Sequence, residues 1–258
     1  MLVVRLTVVG SAPAYALRPG HASSCYLIEA DGGDGSDRTA ILLDIGQGAF
    51  AALGEYLEPS MLAAIFISHL HPDHGIDIVP MRHFLHYALD ELHPVPLHAP
   101  AEFRSRIDGL IGEPGFLDGL PGDDLTAGQR TVGVLTIEAR PVKHALNSFA
   151  FRVSSATERP GVVYSGDCGR PDDLIGLVRP GDTFLCEASW GAALEIPTGA
   201  MHLTAREAAE VARDCGAARL LLTHVLDEHD PVAALDIARG IFRGPVELAV
   251  PGMVVDVG

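Results

Sequence analysis

Apolar and polar positions alternate with period two along residues 2–9. Leu2, Val4, Leu6 and Val8 fall on one face and Val3, Arg5, Thr7 and Val9 on the other, which predicts a strand. Gly10-Ser11-Ala12-Pro13 breaks the pattern. Further strands are predicted over 24–28 and 39–43, joined by a Gly/Asp-rich hairpin tip at 31–37. A helix over 49–57 follows, then the apolar run Ala63-Ala64-Ile65-Phe66-Ile67 as a strand. Ile78, Met81, Phe84, Leu85 and Leu89 recur at helical spacing and predict a helix over 76–89. Next come a short strand at 95–99, a helix at 101–110 and a Gly/Pro/Asp-rich loop at 112–128. Strands at 132–139 and 148–154 open a second sheet.

The last third repeats one pattern. Short apolar runs at 162–164, 183–186 and 220–222 end in Asp167, Glu187 and His224, with helices at 172–178, 205–215 and 231–242. Strands alternating with helices predict α/β layers, and sites in such folds gather at the carboxyl ends of strands. That rule sends His69, Asp167, Glu187 and His224 to one edge.

The richest stretch is Ser68-His69-Leu70-His71-Pro72-Asp73-His74-Gly75, directly after the apolar run. Residues two apart in an extended segment point the same way, so the His69 and His71 rings converge. Imidazole and carboxylate suit zinc, manganese or iron. With His144, Asp167 and His224, the candidates are His69, His71, Asp73, His74, His144, Asp167 and His224. Seven ligands exceed one tetrahedral ion and suit two, about 3.5–4 Å apart, sharing a carboxylate.

The order H-x-H-x-D-H, later His, later Asp, final His resembles the binuclear metallo-β-lactamase superfamily along nearly the whole chain. The resemblance implies a four-layer αβ/βα sandwich formed by a single domain, 1–258. It implies two divalent metals, zinc first with manganese or iron as alternatives: His69, His71 and His144 on one, Asp73, His74 and His224 on the other, Asp167 between. Asp44 looks like the family's outer aspartate that orients ligands. Gly10-Ser11-Ala12-Pro13, Ser23-Ser24, Cys186-Glu187-Ala188-Ser189 and Met201-His202-Leu203-Thr204 resemble the ribonuclease Z-like branch. Thr204 and Glu207 form a capping box, so His202 stands just ahead of a helix amino terminus. The resemblance then implies a hydrolase in which Glu187 orients His202 and His202 protonates a leaving oxygen, while Asp73 also orients the nucleophile.

Composition narrows the substrate. With 34 acidic and 18 basic residues the formal charge is −16, which opposes non-specific nucleic-acid binding. The branch's tRNA-gripping arm lies between its third His and its bridging Asp, where this chain has only residues 145–166. The expected substrate is a small phosphodiester; the chain looks like small actinobacterial proteins active on cyclic nucleotides. tRNA 3′ processing, a lactonase or thioesterase on the same fold, and a non-catalytic binding module are the rivals. Trp190 is a candidate for stacking on a base. His21, His83, His86, His93, His98 and His229 read as surface or packing residues, and Cys168 as filler. No apolar run is long enough to span a membrane, no signal-peptide pattern opens the chain, and the four cysteines form no CxxC pair. The expectation is a cytoplasmic protein, homodimeric by base rate.

Overall fold

The structure, a computed structural model, describes residues 3–17, 20–32, 38–89, 93–155 and 159–257. Most of the expected hairpin tip at 31–37 lies outside these residues. Strands β1 (Val4–Gly10), β2 (Cys25–Asp31), β3 (Arg38–Leu43), β4 (Ala64–Phe66) and β5 (Leu97–His98) follow one another across the first sheet. Strands β6 (Gly128–Val132), β7 (Leu135–Val142), β8 (Ser148–Ser154), β9 (Val162–Tyr164), β10 (Thr183–Glu187), β11 (Arg219–Thr223) and β12 (Val246–Leu248) do the same in the second. The last strand, β13 (Val254–Val257), returns to pair antiparallel with β1. Each sheet is mixed: β3, β4 and β5 run parallel, as do β9, β10, β11 and β12.

Alternation decides what each sheet buries. Leu6, Ile28, Ile41 and Phe66 meet Phe151, Tyr164, Leu185 and Leu221 between the sheets. The opposite face of the first sheet is covered by α1 (Ala49–Leu53), α3 (Ile78–His83) and α4 (Phe103–Ile111) through Leu53, Met81, Phe103 and Ile107. The opposite face of the second is covered by α5 (Ala205–Asp214) and α6 (Pro231–Ile241) through Ala208, Ala212, Ala234 and Ala238. The result is the expected αβ/βα sandwich. No helix among the described residues is long and apolar enough to cross a membrane.

Several elements differ from their sequence patterns. The strand expected at 132–139 is the turn and second arm of a hairpin, with Gly133 at φ 53° turning the chain between β6 and β7. The helix expected at 172–178 is a single 3₁₀ turn, Pro171–Leu174, and Gly176 at φ 80° stops it. The helix expected at 76–89 is α3 followed by a π-helical turn, Phe84–Ala88. The helix at 49–57 ends at Leu53, ahead of Gly54. β6, β12 and β13 are too short or too polar to carry a periodic signal of their own.

Candidate metal centre

The ligand-type residues leave the carboxyl ends of strands along one edge. β4 runs through Ile67 and Ser68 to His69, and His71 precedes a single helical turn, α2 (Pro72–Gly75), that carries Asp73 and His74. His144 follows β7, Asp167 follows β9, Glu187 ends β10 and His224 follows β11. Two backbone features make the convergence possible. Asp44 and His224 both sit at positive φ, 63° and 56°, a conformation that costs a non-glycine residue energy and turns the chain sharply off its strand. Gly46 lets the segment after β3 lie against α2, because a Cβ there would stand 2.0 Å from the Asp73 carbonyl oxygen.

The structure brings all seven sequence candidates together. His69, His71, His144 and Asp167 form one group whose ligand atoms lie within 4.8 Å of one another; Asp73, His74 and His224 form a second. His71 Nδ1 is 3.0 Å from His69 Nε2 and 3.2 Å from His144 Nε2. Asp73 Oδ2 is 3.1 Å from His224 Nε2 and 3.4 Å from His74 Nε2. Asp167 stands between the groups: Oδ2 is 3.7 Å from His69 and from His144 and 3.8 Å from His224, and Oδ1 is 3.5 Å from His74. Ligands 2.0–2.1 Å from a tetrahedral zinc stand about 3.3 Å apart, so these spacings suit such ions.

The outer hydrogen bonds show which nitrogens face inward. The Met201 carbonyl, 2.7 Å from His144 Nδ1, can only accept, so that nitrogen carries the proton. The Asp44 carboxylate likewise accepts a hydrogen bond from His74 Nδ1–H at 2.7 Å. Ser68 Oγ donates to Asp44 Oδ2 at 2.7 Å and is left to accept from His69 Nδ1 at 3.0 Å. Ser189 Oγ donates to Glu187 Oε2 at 2.7 Å and is left to accept from His224 Nδ1 at 2.9 Å. Four imidazoles therefore turn a bare Nε2 into the same space. Among the described residues His74 Nε2 and Asp167 Oδ1 are buried there without a hydrogen bond. A buried acceptor with no donor is costly unless something else fills its lone pair. A divalent cation does so, and the residues fit one.

Electrostatics agree. Burial holds His69, His71 and His144 below the usual imidazole range, as unprotonated ligands require. Burial pushes the Asp167 carboxyl up, but His224 and His74 outweigh it and hold the group well below the ordinary range. Burial would lower His74 too, yet Asp167 and Asp44 outweigh it and raise it. A cation in the same place would replace that proton.

Asp44, buried beneath the cluster, accepts from the Ser68 amide at 2.6 Å, and from the Ser68 hydroxyl, His74 and Tyr164 at 2.7, 2.7 and 2.8 Å. Asp44→Asn puts an amide where acceptors are needed and loosens His74. Metal affinity is expected to fall about 10–100-fold, measured by competition with a chelator; native affinity would remove Asp44 from any orienting role.

His202 and Glu187 lie beside the cluster. His202 Nδ1 is 3.0 Å from Glu187 Oε1 and 3.8 Å from Asp167 Oδ2. Glu187 is fully buried and anchored by the Cys168 amide, the Ser189 amide and the Ser189 hydroxyl. Burial would lower His202, but the hydrogen bond and charge of Glu187 outweigh it and push it up to about 9. Thr204 and Glu207 make the expected capping box at the start of α5.

Sequence reading missed the groups that fix tautomers: Ser68, Tyr164, Ser189 and the Met201 carbonyl. A polar residue at the end of an apolar run was their only signal. Cys168 acts through its backbone, since burial pushes its thiol up to about 12 and that thiol donates to the Arg170 carbonyl. The Trp190 ring packs against His229.

A four-layer sandwich with five imidazoles and two carboxylates converging on strand ends defines a metal-dependent hydrolase. The chain belongs to the beta-lactamase superfamily: the family model described as the beta-lactamase superfamily domain matches residues 39–225. It is 31% identical over 262 residues to the protein Rv1339 of Mycobacterium tuberculosis, covering 96% of this chain and 90% of that protein. It is 27% identical to the probable metallo-hydrolase YhfI of Bacillus subtilis, covering 97% of this chain and 99% of YhfI. The crystal structure of YhfI superposes with a TM-score of 0.85, covering 99% of this chain and all of that one. Ribonuclease Z of Haloarcula marismortui is 26% identical, covering 98% of this chain and 96% of the enzyme. The chain fits the ribonuclease Z-like branch, and its fold implies divalent metal ions.

Proposed function

We propose that this protein is a phosphodiesterase acting on a small phosphodiester, such as a cyclic nucleotide. The observation that carries the reading is His202, held by buried Glu187 beside the metal cluster and still a quarter exposed. A proton donor so placed serves departure of a poor alkoxide leaving group. Relatives named ribonuclease Z cut a phosphodiester, which supports the bond type.

His69, His71 and His144 would hold one ion and Asp73, His74 and His224 the other, with Asp167 shared between them; zinc suits the ligand set best. When bound, two such ions acidify a water and offset the charge of the diester. Asp73 orients the attacking water through its carboxylate. Glu187 keeps the His202 ring in place and protonated, and His202 passes its proton to the leaving oxygen. The net charge of −16 and the shortness of the stretch 145–166, most of which is β8 and β9, favour a small substrate over tRNA. The same reading carries a cytoplasmic homodimer with reduced thiols.

The test sets the zinc-loaded protein against bis(p-nitrophenyl) phosphate, a lactone and a thioester, followed by cyclic nucleotides. Diester cleavage well above the other two is expected. Lactone or thioester turnover without diester cleavage would overturn the reading and leave the fold and metal cluster standing.

A further inference from the structure

A cleft of about 390 Å³ opens between α2 and α4, with His71 among its lining residues. Its size lies within the range of about 300–1,000 Å³ typical of small-molecule sites. Phe103, Ile107 and Leu110 of α4 form one wall and Ile76 the other. The Phe103 ring fits because residue 75 is glycine: a Cβ there would stand 2.6 Å from the ring. The lining is apolar apart from His71 and Arg106. The Arg106 guanidinium is exposed at the rim, with Glu102 no nearer than 3.8 Å.

The position of the cleft bears on the chemistry. His71 belongs to both: it lines the cleft, and its Nδ1 faces His69 and His144 in the cluster, so the cleft adjoins the cluster on the side away from buried His69, His74 and Asp167. A diester with its phosphorus at the cluster has room for one substituent past His71 in the cleft. An aliphatic wall backed by the largely buried Phe103 ring, with no buried hydrogen-bonding side chain, selects by apolar area. A guanidinium at the rim stacks on planar rings and favours an anion nearby.

Resting on the phosphodiesterase reading, we propose that the cleft seats the aromatic substituent that stays on phosphorus, and that Phe103 and Leu110 set specificity for it. The class is an aromatic-bearing phosphodiester, its ring a nucleobase or an aryl group.

Three substrates with one leaving group test this: bis(p-nitrophenyl) phosphate, the p-nitrophenyl ester of thymidine 5′-monophosphate, and methyl p-nitrophenyl phosphate. The quantity read is kcat/KM for each aromatic diester divided by that for the methyl diester. Leu110→Asp changes an exposed residue and leaves the core untouched; Phe103→Leu removes the ring and keeps an apolar side chain. Each is expected to lower the ratio about tenfold, chiefly through KM, as loss of a modest apolar contact predicts. Val232→Asp, exposed on α6, serves as the surface-charge control and leaves the ratio at its native value. A fall for the thymidine ester alone assigns the cleft to a nucleobase; a fall for both assigns it to aromatic rings in general. Native ratios in both cleft variants would overturn the proposal while leaving the phosphodiesterase reading intact. So would Leu110→Asp turning a dimer into a monomer with the ratio unchanged, which would make the cleft a subunit contact. If the native enzyme cleaves none of the three diesters, the phosphodiesterase reading falls and the cleft proposal with it.

Discussion

Asp167→Asn is expected to abolish turnover, lowering kcat/KM by about 10³-fold or more, because two-metal catalysis depends on both ions being held together. Bound zinc is expected to fall from two equivalents per chain to one or fewer. The cause is visible in the distances. One carboxylate stands 3.5–3.8 Å from nitrogens of His69, His74, His144, His202 and His224. It is the nearest anion common to both halves of the cluster. Asparagine keeps the volume but removes the charge, and its NH₂ turns a donor toward a space built for cations. The Asp167 charge, with that of Asp44, is also what raises His74 above the usual imidazole range. Two measurements separate the causes: metal content by elemental analysis, and the rise in Tm on adding zinc. Native protein should gain several degrees, since a ligand that binds only the folded state stabilises it. The variant should gain little. A variant that binds two zinc ions with native affinity and keeps native kcat would remove Asp167 from the bridging position.

Much of this site is written locally. Four of the seven candidate ligands stand within Ser68–Gly75, and the other three follow short apolar runs or strands whose carboxyl ends the α/β rule sends to one edge. What makes the cluster competent is not local. His224 has its proton placed by Ser189, 35 residues away, and His74 by Asp44, 30 residues away. Ser189 looks like any strand-end serine until both its partners are in place, whereas Asp44 is legible only through the family resemblance. The cleft has the same character: Gly75 closes the ligand-rich stretch and Phe103 falls in the helix expected at 101–110, and their meeting depends on how α4 docks. Likewise β6, β12 and β13 draw their pairing from neighbours, so a short or polar stretch becomes a strand only beside one that is already formed.

His202→Ala is expected to lower kcat by about 10²–10³-fold with two metals still bound, the range general acids supply. The loss should depend on the leaving group. p-Nitrophenolate departs with little help, so the smaller loss is expected on p-nitrophenyl diesters and the larger on a cyclic nucleotide, whose leaving oxygen is an alkoxide. The pH profile gives an independent readout. A general acid works in its protonated form, so activity falls as pH rises through its pKa. Glu187 lifts His202 to about 9, and nearby divalent cations can only draw that value down. The alkaline limb of kcat is therefore expected at or below about pH 9, and absent in His202→Ala. Glu187→Gln preserves an acceptor for Nδ1–H but removes the charge that raises the pKa, so its alkaline limb should move to lower pH. A residue that merely packed beside the cluster would move neither the leaving-group dependence nor the limb. If His202→Ala keeps kcat within about threefold on a cyclic nucleotide and retains the native profile, proton transfer does not run through this imidazole. The Glu187–His202 pair would then be a structural clamp on the segment that carries the Met201 carbonyl to His144.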